Sequence, residues 1–132
     1  MTEAHRANCL VLVNEGHAIF ACLSFLIQFC SMIQYNQTVN IEQSAEADWL
    51  QWMKEQQIPD MLATGMFVQA RMFRLLDIEE SAGTATYAVQ LMTETREHLD
   101  IYQMKYEPSL DKAHEKRYGS QAVSFRTMMK EV

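Results

Sequence analysis

The stretch Met32-Ile-Gln-Tyr-Asn-Gln-Thr-Val-Asn-Ile41 decides the fold. Ile33, Tyr35, Val39 and Ile41 take one set of alternate positions; Gln34, Asn36, Thr38 and Asn40 take the other. Successive side chains of a strand point to opposite faces, so the pattern predicts a strand with one apolar and one polar side. The stretch also divides the chain. Cys9, Cys22 and Cys30 precede it, and the longest apolar run, residues 18–33, ends as it begins. Residues 32–132, opening at an internal methionine, are read as the folded domain. Residues 1–31 are read as an apolar extension outside the native fold.

A membrane anchor or export signal, and a metal or redox site, are the competing readings of the extension. As a membrane anchor it is short, because a spanning helix needs about 20 predominantly apolar residues, and Ser24, Gln28 and Ser31 interrupt the run. As an export signal it lacks a basic start: only Arg6 stands against Glu3 and Glu15. A metal or redox site from His5, Cys9, His17, Cys22 and Cys30 has no Cys-x-x-Cys spacing to support it. Membrane association is expected only if the extension is retained, and the expected location is cytoplasmic.

The chain has 132 residues, enough for one ordinary domain. Hydrophobic residues make up 48%, so composition does not predict disorder. The formal net charge of −6 disfavours nucleic acid, because an acidic surface repels phosphate backbones. Lys112, Lys116 and Arg117 form the nearest basic cluster, but Asp111 and Glu115 dilute it into a solvated helix face. No cysteine follows Met32, which excludes disulfides and thiolate zinc sites from the domain. No cofactor is implied.

Beyond the first strand, Ser44 is a candidate N-cap for a helix carrying Trp49, Trp52 and Met53 on one face. Pro59 interrupts that helix and Gly65 closes it. Residues 66–76 alternate as a strand, with Met66, Val68, Ala70 and Met72 on one side and Phe67, Gln69, Arg71 and Phe73 on the other. A turn at residues 77–83, which includes Glu79 and Glu80, leads into a strand at residues 84–92. Thr93 is a candidate cap for a second helix, which runs through Pro108 to Gly119. Val123, Phe125 and Thr127 then alternate with Ser124, Arg126 and Met128 in a last strand.

The order βαββαβ predicts an α+β, ferredoxin-like domain: a four-stranded antiparallel sheet with two helices on one face. The other face is left open. Water, single-stranded RNA or a second subunit are its possible occupants. RNA fits poorly, because Tyr35 and Tyr87 fall on the helix-side register and the domain is acidic. Asn36, Arg71, Gln90 and Arg126 are read as a possible small-anion site on the open face, since arginine's planar fork suits carboxylate or phosphate. Gln34, Gln69, Phe73 and Ser124 are read as subunit-interface residues beside it.

Met32 to Ile41, Trp49-Leu-Gln-Trp-Met-Lys54, Ile58-Pro-Asp-Met-Leu-Ala-Thr-Gly65, Thr86-Tyr-Ala-Val-Gln90 and Phe125-Arg-Thr127 together resemble a bacterial domain-of-unknown-function family, number 4286 of its series. The resemblance covers residues 32–132. It implies kinship with dimeric α/β-barrel proteins, in which two ferredoxin-like subunits join their sheets. Members of that wider group include small monooxygenases, isomerases and haem-binding enzymes. Such proteins commonly carry a histidine just before the Ile-Pro element, where this chain has Gln57, an amide that neither titrates nor binds metal like imidazole. The leading expectation is a small homodimer binding a small anionic ligand between its sheets. The alternatives are a cofactor-independent monooxygenase- or isomerase-like enzyme, and a protein-interaction or regulatory module. No nucleophile triad, phosphate loop or metal-ligand spacing singles out a reaction. His98 and His114 read as structural or solvated residues of a helix surface, and Tyr102 and Tyr106 as residues packing against the sheet.

Overall fold

The computed structural model describes residues 32–78 and 83–132. The elements are β1 (Ile33–Glu42), α1 (Gln43–Trp52), α2 (Ile58–Ala63), β2 (Gln69–Arg74), β3 (Thr84–Thr93), α3 (Arg96–Ile101), α4 (Glu107–Tyr118) and β4 (Ala122–Lys130). The strands form one antiparallel sheet in the order β2-β3-β1-β4, the ferredoxin-like arrangement expected from the sequence. The expectations for residues 1–31 and for Glu79 and Glu80 fall outside the described residues.

Each helical layer passes through a proline in the same way. A wide π turn, Met53–Gln57, joins α1 to α2, and another, Tyr102–Tyr106, joins α3 to α4. The residue before each proline donates its N–H five residues back: Ile58 to the Met53 carbonyl, Glu107 to the Tyr102 carbonyl. Proline has no N–H and its ring crowds the carbonyl four residues earlier, so a widened turn lets the helix continue where a regular one would break. Pro59 and Pro108, expected as an interruption and a kink, are therefore carried inside the helical layer. Both caps differ from expectation as well. Glu42, not Ser44, precedes α1, without a capping side-chain bond. Thr95, not Thr93, caps α3 by accepting from the His98 N–H at 3.1 Å. Thr93 ends β3 instead, fully buried, and donates to the Met66 carbonyl at 2.8 Å.

The core lies between sheet and helices. Val39, Ile41, Trp49, Met53, Val89, Leu91, Leu99 and Tyr102 are its fully enclosed members. Burying each such side chain contributes about 1.5–3 kcal/mol, before entropy is counted. β2 begins later than predicted, and this reverses two residues. Phe67 is buried, its ring 4.5 Å from that of Tyr102, whereas Val68 is exposed. The chain leaving Gly65 (φ +76°) has not yet entered the sheet there, so two-residue alternation does not govern it.

Candidate functional site

Strand register assigns every candidate to a face. On the open side, Asn36 pairs with Gln90, and Gln90 pairs with Arg71, so these three form one row across β1, β3 and β2. Gln34, Gln69 and Phe73 share the same side. Gln34 donates to Gln90 Oε1 at 2.6 Å, and Asn36 donates to Thr38 Oγ1 at 3.1 Å. Asn36 Oδ1 is buried without a hydrogen-bond partner. The Arg71 guanidinium lies 4.9 Å from the centre of the Phe73 ring, and it has no carboxylate partner among the described residues.

Arg126 and Ser124 do not join that row. Arg126 pairs with Gln37 and Ser124 with Val39, which places both on the helix side. The open side of β4 instead carries Val123, Phe125, Thr127 and Met129. The inversion has a physical reason. β4 is an edge strand lying next to the charged flank of α4, so its polar set turns inward to ion-pair there, and its apolar set turns outward. Arg126 Nε is 3.1 Å from Glu107 Oε1, and the same guanidinium pairs with Asp111. Burial opposes the charge of Arg126, but Glu107 and Asp111 outweigh it and hold the group protonated.

That helix-side network continues into the core. The Tyr35 hydroxyl donates to Glu107 Oε1 at 2.6 Å and accepts from Gln103 Nε2 at 3.3 Å. Burial, with the Glu107 carboxylate beside it, pushes the Tyr35 hydroxyl up to about 12. Trp49 Nε1–H donates to His114 Nε2 at 2.9 Å, and burial lowers the pKa of that imidazole. Gln57, deeply buried in the first π turn, donates to the Leu110 carbonyl at 3.0 Å and ties that turn to α4. From sequence His114 reads as a structural or solvated residue of a helix surface. Its bond to Trp49 spans 65 positions of sequence, and no local pattern signals it. His98 is half-buried beside its cap. No group of three or more His, Cys, Asp or Glu side chains poised for a metal occurs among the described residues.

The family model for a domain of unknown function, DUF4286, matches residues 32–132. The chain belongs to the DUF4286 family. No curated protein matches it. Among solved structures, this DUF4286 member is similar to a dimeric ferredoxin-like protein from an uncultured marine organism, at 9% identity and TM-score 0.57, over 76% of this chain and 95% of that one. It is similar to SnoaB, a cofactor-independent oxygenase from Streptomyces nogalater, at 9% identity and TM-score 0.58, over 76% and 93%. It is also similar to a conserved Bacteroides thetaiotaomicron protein described as a possible oxidoreductase, at 12% identity and TM-score 0.56, over 77% and 99%. At such identities these likenesses establish the ferredoxin-like fold and transfer no reaction. No helix among the described residues is long and apolar enough to cross a membrane.

Proposed function

We propose that this DUF4286 protein is a homodimer whose two sheets meet through their open faces and enclose a site for a small anion. The inversion of β4 carries the reading: Val123 and Phe125 are 70% and 64% exposed on a side that no described element covers. Phe73 and Met129 are exposed on the same side. An antiparallel sheet can leave a polar face to water, but an apolar patch of this kind signals a contact surface. Gln34, Gln69 and Phe73 then lie at the subunit boundary, with Phe125 in the part assigned to Ser124 from sequence.

Closing such an interface makes demands on the polar row. Arg71 would be buried with no carboxylate of its own subunit, and burying an unpaired charge is costly. A carboxylate or phosphate lying along its fork satisfies it. Gln90 and Asn36 add amide groups in the same row, and Asn36 Oδ1 is left for a donor from the ligand or the second subunit. The test is calorimetric titration of the full chain with inorganic phosphate and with succinate. Binding by the unmodified protein is expected for one of these anions. Arg71→Ala should weaken it roughly 10-fold or more, the worth of a hydrogen bond to a charged group, with the dimer intact. No binding by the unmodified protein, or equal binding by Arg71→Ala, contradicts the anion site.

A further inference from the structure

The opposite side of the sheet is chemically different. A cleft of about 290 Å³ opens there between β1, β4 and α4, and Gln37, Asp111, His114, Ala122, Ser124 and Arg126 line it. Gln37 is 8% exposed, and its amide has no hydrogen-bond partner among the described residues. Its amide atoms are not sealed from solvent, so at the cleft wall its donor and its acceptor are open to a ligand group.

His114 supplies a second donor. Its Nε2 accepts from Trp49, a fully buried side chain of α1, so the neutral ring carries its proton on Nδ1. That N–H has no partner among the described residues. The charge of the cleft selects against anions. Arg126 is already engaged by Glu107 and Asp111, and Glu115 stands at the rim, so carboxylates outnumber cations. The open-face row is the reverse case, with Arg71 free of any carboxylate among the described residues.

We propose that this cleft binds a small neutral molecule carrying a carboxamide or lactam group. Gln37 presents an N–H donor and a carbonyl acceptor side by side. An amide of the ligand can pair with both reciprocally, while His114 Nδ1–H donates to the same ligand carbonyl. The volume suits a molecule of a few rings or fewer. The proposal does not rest on the dimer or on the anion site, since it uses one subunit and the other face.

The experiment is a titration of the isotope-labelled full chain with δ-valerolactam, followed by nuclear magnetic resonance. Saturable shifts of the Gln37 side-chain NH₂ and the Trp49 indole N–H are expected, and acetate should leave both unmoved. Gln37→Leu should abolish the lactam shift at Trp49. Gln37→Met serves the same purpose if the leucine variant does not fold. The proposal is overturned if the unmodified protein shows no saturable shift. It is equally overturned if the Trp49 shift survives in the folded variant, or if acetate moves these resonances as far as the lactam does.

Discussion

Arg126 joins two carboxylates, Glu107 and Asp111, beneath the edge strand, with its side chain 29% exposed and that of Glu107 only 13%. Removing one partner of a largely enclosed pair leaves the other charge uncompensated. Arg126→Ala is therefore expected to lower stability by roughly 2 kcal/mol, measured by urea unfolding, without loss of anion binding. A neutral effect on stability with loss of anion binding would instead place Arg126 in the proposed anion site. Tyr35 and Tyr87 give the pH dependence at the alkaline end. Burial first, and then Glu107 or Glu46, raises each hydroxyl from 10.0 to about 12. A raised folded-state pKa gives stability that is full below pH 10.0 and lost as pH climbs towards 12. Unfolding midpoints should fall across that window together with the rise of phenolate absorbance, and Tyr35→Phe should flatten the fall. His114 acts with the opposite sign. Its depressed pKa gives stability that is present above 6.5 and lost as pH drops through the folded value. His114→Gln should remove that acid-side loss.

At the scale of elements, the two proline-linked π turns position the inner surface of the helical layer. The first turn buries Gln57 where its amide reaches Leu110 at the start of α4. Gln57→Ala should cost about 1 kcal/mol from the lost bond, and more if the site fails to close, as read from chemical denaturation. Much of this architecture was legible in the sequence. The alternation through β1 named Tyr35, Val39 and Ile41 as inward-facing, and all three are buried. β3 was equally clear, because Tyr87, Val89 and Leu91 face the same core. β4 was not, and the reason is physical. Apolar-inward logic assigns Val123 and Phe125 to the helices, but that logic holds only when the other face meets water. Here the inward side of the edge strand meets Glu107 and Asp111, so polarity and burial exchange sides. The start of β2 was misread because the chain emerging from Gly65 had not settled into strand geometry by Phe67. The links from Trp49 to His114 and from Gln57 to Leu110 join distant positions, and single-sequence periodicity carries no signal for them.

For the whole molecule, the sheet separates two environments. One side is a closed core edged by an ionic network; the other is a broad surface with exposed Phe73, Val123, Phe125 and Met129 around an unpaired Arg71. In the proposed dimer a second copy would cover that bare side with the same apolar surface, related by a twofold axis. Phe125 is the aromatic most suited to anchor that contact. Charge placed there should raise the dimer dissociation constant roughly 30-fold or more, the ~2 kcal/mol of a central anchoring residue, while leaving the core untouched. The most direct measurement is the molar mass of the full chain by sedimentation equilibrium, beside that of Phe125→Glu. A dimer that the substitution converts to a folded monomer is the predicted result. A monomer at all concentrations, or a dimer indifferent to Phe125→Glu, would contradict it.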